Sequence, residues 1–252
     1  MAPPRFHAPV EGEPARVTLS AGESAHARRV LRLRDGAEVV LFDGANRELR
    51  GRIDGRDDAG RTVVAIDAIE IVDREPPARL TVAVAPPKGK ALDDLVRGLA
   101  ELGADRIVPM ATERGVVKLD AARIKIDRLR RAAIEASKQC GRNRITTIDD
   151  PRALPAVLAE SAAFSLRLRP DVAGAVALRT ALPAAPPPSV LALVGPEGGF
   201  TEGERALADE AGFVAVSLGR SVCRVATACL ALAAVLATAW PVECNGSFDT
   251  AP

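Results

Sequence analysis

The chain has 252 residues, of which 48% are hydrophobic and 27% charged, a composition typical of a soluble globular protein. Its formal net charge of +1 does not mark it as a binder of polyanions, and an aromatic content of 3% argues against a platform for stacking bases. Two histidines and four cysteines without a C-x-x-C pair argue against a metal site, and separate thiols favour a reducing, cytoplasmic compartment.

The chain up to residue 75 predicts a small antiparallel barrel interrupted by one helix. Turn signals at Asp43-Gly44 and Asp54-Gly55 separate alternating or apolar segments, and Glu23–Leu31 has the pattern of a helix. The predicted strands are Arg16–Leu19, Glu38–Phe42, Leu49–Asp54 and Thr62–Ile71. The polar, proline-rich segment 73–78 then indicates a domain boundary.

After residue 79, apolar strands alternate with helices, which predicts a mainly parallel sheet with helices on both faces. The predicted strands are Leu80–Ala85, Ile107–Met110, Ala162–Leu168, Val190–Val194 and Ala215–Leu218. The predicted helices are Ala91–Leu102, Ile124–Cys140, Glu202–Ala211 and the closing region Ser221–Trp240. The apolar run from Ala226 to Trp240 is shorter than the roughly 20 residues that cross a bilayer, so we predict a buried helix and no membrane association.

The sharpest local signal is a glycine-rich loop between an apolar strand and a helix. The loop reads Gly195-Pro-Glu-Gly-Gly199, and Thr201 with Glu204 forms a capping-box pattern at the helix start. Such glycines let the backbone approach a ligand closely, although a tight strand–helix turn is the alternative, and neither common nucleotide-binding glycine pattern occurs. The strand Val214–Leu218 also ends at a glycine, Gly219. We therefore expect both loops to line one crevice at the carboxyl ends of neighbouring strands.

Basic residues cluster in two places although the total charge is near zero. Between Arg114 and Arg144, ten basic residues face only three acidic ones, and the helix of the first domain carries further arginines. Arg128, Arg131 and Lys138 recur at helical spacing. A solvated helix face is one interpretation, whereas two basic clusters in two domains favour contact with the phosphates of a nucleic acid.

The glycine loop and the segment after it resemble a known enzyme family. The sequence from Gly195 to Phe200 before a helix, then Ser217-Leu-Gly219 and an arginine-bearing helix start, resembles the SPOUT methyltransferases and, among them, the 16S ribosomal RNA (uracil-N3) methyltransferases. Weaker resemblances extend over nearly the whole chain, at Arg5-Phe6, His26-x-x-x-Val30-Leu31-Arg32, Ala100-Glu-Leu-Gly103, Ile107-x-Pro109, Thr112-Glu-Arg114 and Gln139-x-x-Arg142. The chain departs from the family's pattern at Lys138, Ser221, Val225 and Ala226.

The resemblance implies a SPOUT-type α/β fold, with a trefoil-knotted, mainly parallel sheet, and a small N-terminal PUA-like β-barrel. It implies a homodimer that binds S-adenosylmethionine and methylates N3 of a uridine in the 16S ribosomal RNA of the small subunit. The predicted limits are 1–73 for the RNA-binding barrel, 79–242 for the methyltransferase domain and 243–252 for a disordered tail.

Two alternative functions stay open at this point. One is a non-catalytic RNA-binding or ribosome-assembly factor that retains the fold, supported only by the departures at Ser221, Val225 and Ala226. The other is a SPOUT methyltransferase that acts on a different RNA acceptor, such as a ribose 2′-hydroxyl group.

Three sets of residues are predicted to carry the function. The predicted catalytic residue is Arg224, whose permanent charge would stabilise a uracil anion, with a local ion pair as the alternative. The predicted cofactor-binding residues are Leu168, Val194, Gly195, Pro196, Glu197, Gly198, Gly199, Leu218, Gly219, Val222 and Cys223. The predicted RNA-binding residues are Arg5, His26, Arg28, Arg29, Arg32, Arg114, Arg128, Arg131 and Arg142.

Overall fold

A computed structural model describes residues 2–87, 91–115, 126–172 and 175–241. The chain divides into two compact units, which within the described residues comprise 2–75 with 137–145, and 76–136 (less the gaps) with 146–241. No local signal in the sequence predicts that 137–145 belongs to the first unit. The domain limits at residues 73 and 79 stay predictions, and the predicted tail 243–252 lies outside the described residues.

The first unit is built on an open, curled sheet of five strands in the order β1-β3-β4-β5-β2. Its strands are β1 (Arg5–His7), β2 (Arg16–Thr18), β3 (Glu38–Phe42), β4 (Arg47–Arg56) and β5 (Thr62–Ile71). Only the β1–β3 pair is parallel. The helix α1 (Ala21–Ala25) continues as a π-helical turn, His26–Val30, where the sequence predicts one uniform helix.

One predicted turn in this unit is wrong. Asp54-Gly55 lies inside β4, which continues to Arg56, and the chain reverses at 57–60 instead. The carboxylate of Asp57 accepts hydrogen bonds from the N–H groups of Ala59 and Arg61, so an aspartate turn competes successfully with the Asp-Gly pair.

The second unit contains an all-parallel sheet in the order β11-β13-β10-β12-β6-β7-β8, with β9 also pairing with β7. Its strands are β6 (Arg79–Val84), β7 (Ala104–Ala111), β8 (Thr147–Ile148), β9 (Arg152–Ala153), β10 (Leu166–Pro170), β11 (Val176–Ala177), β12 (Ser189–Val194) and β13 (Val214–Ser217). Its helices are α2 (Ala91–Glu101), α3 (Ile126–Cys140, ending in the first unit), α4 (Leu154–Glu160), α5 (Leu178–Ala181), α6 (Glu202–Glu210) and α7 (Val225–Thr238).

Helices cover the sheet in two groups. The first is α2 with α7, which packs on β6 and β12, and the second is α4 with α6. Gly98 of α2 allows a close approach to α7, since a Cβ atom there would lie 2.7 Å from Leu230. The central strands β6 and β12 are buried along nearly their whole length, as their continuous apolar sequences predict. No helix among the described residues has the length and apolarity needed to cross a membrane.

The strand predicted at Ala162–Leu168 is displaced. Residues Ser161–Ala163 form a 3-10 turn, and β10 runs from Leu166 to Pro170. A charged residue such as Arg169 is not expected in a buried strand, so the sequence does not predict that the strand extends past it. Its side chain is nevertheless only 3% exposed, because its charge is paired with Asp171 and Asp209. The short elements β8, β9, β11, α4 and α5 are not predicted, and α7 is shorter than the predicted region Ser221–Trp240.

Candidate active site

A cavity of about 300 Å³ lies at the carboxyl ends of three parallel strands in the second unit. Its walls are the loops that follow β10, β12 and β13, at residues 170–172, 194–200, 218–219 and 221–223, together with Arg205, Val225 and Ala228. The sequence predicts that the two strands ending in glycines, β12 and β13, are neighbours. This is wrong, because β10 lies between them. The crevice at the strand ends is therefore formed by three loops rather than two.

The structure brings most of the predicted cofactor-binding residues together. All of them except Leu168 line this cavity. Leu168 is fully buried in β10, where it pairs with Ala192 and Val214. The cofactor role of the lining residues stays a prediction.

The physical reason for having a glycine differs among the three glycine positions of the loop. A Cβ atom at Gly195 would lie 2.9 Å from the ring of Phe200, so this glycine serves packing inside the protein. Gly199 has a φ of +66°, a conformation that other residues rarely adopt. At Gly198 the nearest atom to an added Cβ is in Arg114, at an ordinary 3.5 Å. Neither packing nor strain of the described chain requires a glycine at Gly198, which leaves room for a ligand as its reason.

A buried carboxylate connects this loop to the segment after β7. Glu204, which is 4% exposed, accepts hydrogen bonds from the N–H groups of Thr201 and Glu113, both at 2.8 Å. The predicted capping box between Thr201 and Glu204 is confirmed. Next to it, Nη1 of Arg114 donates to the carbonyl oxygen of Gly198 at 3.0 Å. A residue predicted to bind RNA thus contacts the loop predicted to bind the cofactor.

Two charged residues at the cavity are not among those predicted from the sequence. Asp171 and Arg205 both line it, and they bring charges of opposite sign to walls that are otherwise largely apolar or main chain. The buried Arg169 pairs with Asp171 and also with Asp209, through a 2.7 Å contact. Apolar walls with a few polar groups suit a small organic ligand that carries both charges.

Arg224 lies at the edge of this cavity. It is the N-cap residue of α7, it is exposed, and its side chain makes no capping hydrogen bond. It does not line the cavity, but the residues on either side of it, Cys223 and Val225, do.

Comparison with known proteins identifies the family. A model described as an RNA methyltransferase domain matches residues 74–237, and one described as an RNA methyltransferase PUA domain matches residues 19–58. The chain belongs to this RNA methyltransferase family. It is 31% identical to "Ribosomal RNA small subunit methyltransferase E" of Synechocystis sp., over 85% of this chain and 70% of the relative.

Two solved structures of methyltransferases are similar over nearly their whole length. A methyltransferase from Legionella pneumophila in complex with the cofactor SAM is 33% identical, with a TM-score of 0.87 and coverage of 95% of this chain and 98% of the other. The ribosomal RNA small subunit methyltransferase E from Neisseria gonorrhoeae bound to S-adenosyl methionine is 30% identical, with a TM-score of 0.84 and the same coverage. The predicted family and fold class are confirmed, and the trefoil knot remains an implication of the family.

Three of the arginines predicted to bind RNA are engaged inside the first unit of the methyltransferase. Arg142 is 4% exposed and its Nε donates to Glu75 at 3.1 Å. Arg5 lies 3.3 Å from Glu48, and Arg28 contacts Asp35 at 2.6 Å. Breaking the pairs of Arg142 and Arg5 would leave buried charges uncompensated, whereas the partner of Arg28, Asp35, is mostly exposed.

Glu48 anchors one of these networks. Burial alone would raise the pKa of Glu48, but hydrogen bonds from Arg74 and Asn143 lower it below its usual value. His26 also has an internal contact, since its ring meets Phe6 edge to face at 6.0 Å.

The remaining RNA candidates of the methyltransferase differ in their charge environment. Arg29, Arg32, Arg114 and Arg131 are exposed. Arg128 is half exposed, but its Nε donates to Asp93 at 2.7 Å, so its charge is already compensated. Other basic residues of the predicted cluster, Lys118, Arg123 and Lys125, lie outside the described residues.

Proposed function

We propose that this protein transfers the methyl group of S-adenosylmethionine to N3 of a uridine in the 16S ribosomal RNA of the small subunit. The observation that carries the proposal is the cavity at the ends of β10, β12 and β13, where the glycine loop meets Asp171 and Arg205. Support comes from the relatives named small subunit methyltransferase E and from the two similar structures with bound cofactor. Of the departures from the family's pattern, Ser221 and Val225 line this cavity and Ala226 does not.

The cavity residues fit the proposed cofactor chemically. The apolar side chains of Val194, Leu218 and Val222 suit a purine ring. The guanidinium of Arg205 suits a carboxylate, and the carboxylate of Asp171, although paired with Arg169, can accept a hydrogen bond from a donor on the ligand. When bound, S-adenosylmethionine supplies a methyl group that is already a strong electrophile, so the protein mainly orients the donor and the acceptor.

The second task of the site is to favour the uracil anion. N3 of uracil carries a weakly acidic proton, and a permanently charged guanidinium near the ring oxygens stabilises the charge that develops as the proton leaves. We assign this task to Arg224, the exposed residue between the cavity-lining Cys223 and Val225. Its side chain is free of a capping hydrogen bond and is available to the base.

The RNA-binding part of α3 is assigned to Arg131 rather than to Arg128. We expect Arg131→Ala to weaken RNA binding and to reduce the slope of log affinity against log salt by roughly 0.7–0.9. With one phosphate contact fewer, fewer counterions are released when the RNA binds. Arg128→Ala is the matched control, since Asp93 already neutralises Arg128 and its loss changes that slope little. The slopes are measured by filter binding over a salt series. Equal slopes in the wild type and both variants would show that this face of α3 contacts solvent and not RNA phosphates.

Methylation of 16S ribosomal RNA that lacks the modification tests the function as a whole. We expect incorporation of one methyl group, and mass mapping of the digested RNA places it on the base of a uridine. A methyl group on a ribose would favour the alternative acceptor, whereas cofactor binding without transfer would favour the non-catalytic alternative. Naked RNA and assembled small subunits are compared as substrates.

The proposal includes a cytoplasmic homodimer, a barrel domain over 1–73 and a methyltransferase domain over 79–242. The cytoplasm is where ribosomal RNA is available to the proposed enzyme, and the cysteines Cys223 and Cys229 are free thiols. Light scattering coupled to size exclusion measures the oligomeric state, and a monomeric mass would remove the dimer from the proposal.

A further inference from the structure

The helix of the first unit ends in an exposed apolar tip between arginines, residues 29–32, which we call the Arg29–Arg32 tip. Val30 is 66% exposed and Leu31 is 40% exposed. Arg29 and Arg32 are also exposed, and within the described part of the chain neither of them forms an ion pair or a side-chain hydrogen bond. The tip therefore presents two apolar side chains flanked by two uncompensated positive charges.

The backbone of the tip is irregular at two successive points. The N–H group of Leu31 donates to the carbonyl oxygen of His26 at 3.0 Å, which closes the π-helical turn. Arg32 then has a φ of +55°, in the left-handed region, and the N–H group of Leu33 returns to the carbonyl oxygen of Ala27 at 3.0 Å. Leu33 packs against the core of the unit, so the left-handed residue brings the chain back to the sheet.

A glycine or asparagine normally occupies this left-handed position at a helix end. A Cβ-bearing arginine is disfavoured there, and folding alone does not require its side chain, which is exposed. Exposed backbone strain in non-glycine residues, and π-helical turns, are both enriched at functional sites. The strain at Arg32 thus calls for a reason outside the packing of the unit.

Arg28 connects the end of the tip to neighbouring parts of the same unit by hydrogen bonds. Its guanidinium donates to the carbonyl oxygens of Leu33 at 3.1 Å and Gly55 at 3.0 Å, and to the carboxylate of Asp35 at 2.6 Å. The acidic side chain nearest the tip in sequence, Asp35, is thereby neutralised. The tip keeps a net positive charge, which is complementary to a phosphate backbone.

We propose that the Arg29–Arg32 tip binds unpaired nucleotides of the RNA substrate, with Arg29 and Arg32 on phosphates and Val30 and Leu31 against the faces of bases. This inference rests on the proposed RNA substrate and names how one surface recognises it. Unpaired bases expose apolar faces that a duplex hides, and sequence-specific recognition of RNA uses such bases. In a chain with 3% aromatic residues, aliphatic side chains provide the apolar surface that aromatic platforms provide elsewhere.

The first test uses the full-length protein with two fluorescent RNA probes, a uridine-rich single strand and a fully paired duplex. We expect Arg32→Gly to keep or raise the melting temperature, because glycine adopts the left-handed backbone without strain. The same variant should bind the single strand roughly tenfold more weakly, with a salt slope lower by about 0.7. Arg32→Lys keeps the charge and should retain most of the slope.

The second test separates apolar from electrostatic contact. We expect Val30→Ser combined with Leu31→Ser to weaken single-strand binding roughly tenfold without changing the salt slope, because no phosphate contact is lost. Ile71→Ser is the matched control, since Ile71 is 82% exposed at the end of β5 in the same unit and is not part of the Arg29–Arg32 tip. The affinity for S-adenosylmethionine should not change in any of these variants.

The outcomes distinguish this inference from the proposed function. A wild-type protein that fails to methylate 16S ribosomal RNA overturns the proposed function. Normal methylation by the wild type together with unchanged RNA affinity in both tip variants overturns only the role of the tip. Equal losses for the single strand and the duplex would also overturn it, as would a loss seen with assembled subunits but not with naked RNA, which would indicate a protein partner.

Discussion

Gly198→Val is expected to weaken binding of S-adenosylmethionine by up to roughly 100-fold in Kd, while the protein stays folded. The added side chain enters the cavity at the glycine loop, and overpacking of this kind typically costs about 1–3 kcal/mol. The fold should tolerate the change because a Cβ atom at residue 198 meets only Arg114, at 3.5 Å. Calorimetric titration of the cofactor and a circular dichroism spectrum measure the two effects.

Gly203→Val serves as the control for this experiment. Gly203 lies in α6, it is exposed, and a Cβ atom there has no neighbour within 4 Å. Its replacement adds the same side chain outside the cavity, so cofactor affinity should be retained. Wild-type affinity in Gly198→Val would instead remove the loop from the cofactor site. Gly199 is unsuitable for this purpose, since its φ of +66° would add backbone strain.

Arg224→Ala is expected to lower the rate of methyl transfer about 100-fold, and by no less than roughly tenfold, with little change in cofactor affinity. The loss of one preorganised donor that acts on developing charge has an effect of this order. A contact that strengthens in the transition state changes the chemical rate more than ground-state binding. Single-turnover assays at saturating RNA and cofactor isolate that rate.

Arg179→Ala is the matched control for Arg224. Both arginines are exposed, but Arg179 lies in α5, and neither it nor the residues on either side of it line the cavity. Its loss should leave the single-turnover rate close to that of the wild type. A wild-type rate in Arg224→Ala contradicts the catalytic assignment. If the unmutated protein binds the cofactor but transfers no methyl group, the non-catalytic alternative gains support.

The parts of the fold predicted from the sequence are those with local causes. The capping box of Thr201 and Glu204 is set by residues three positions apart, and the apolar run of β12 needs no partner to be recognised. The end of β10 could not be predicted in this way. Arg169 looks like a surface residue until Asp209, 40 positions away, is seen to neutralise it.

The same limit applies to the candidate site. The glycine loop can be recognised because its spacing is unusual by itself, whereas Asp171 and Arg205 line one cavity only because β10 lies next to β12. Basic composition likewise cannot show which of the predicted RNA-binding arginines have ion-pair partners inside the protein. Arg142 is paired with Glu75, 67 positions earlier, and nothing in the sequence near Arg142 reveals that partner.

The assignment of residues 137–145 to the first unit has a consequence for biosynthesis. Asn143 donates hydrogen bonds to Glu48 and to the carbonyl oxygen of Val72, and Ile145 donates one to Gly44. Although domains generally fold in turn as they leave the ribosome, this N-terminal unit lacks those bonds until α3 has also been translated. A fragment that stops at residue 75 would expose Glu48 without one of its donors, so the smallest autonomous form of the unit extends past the start of the next one.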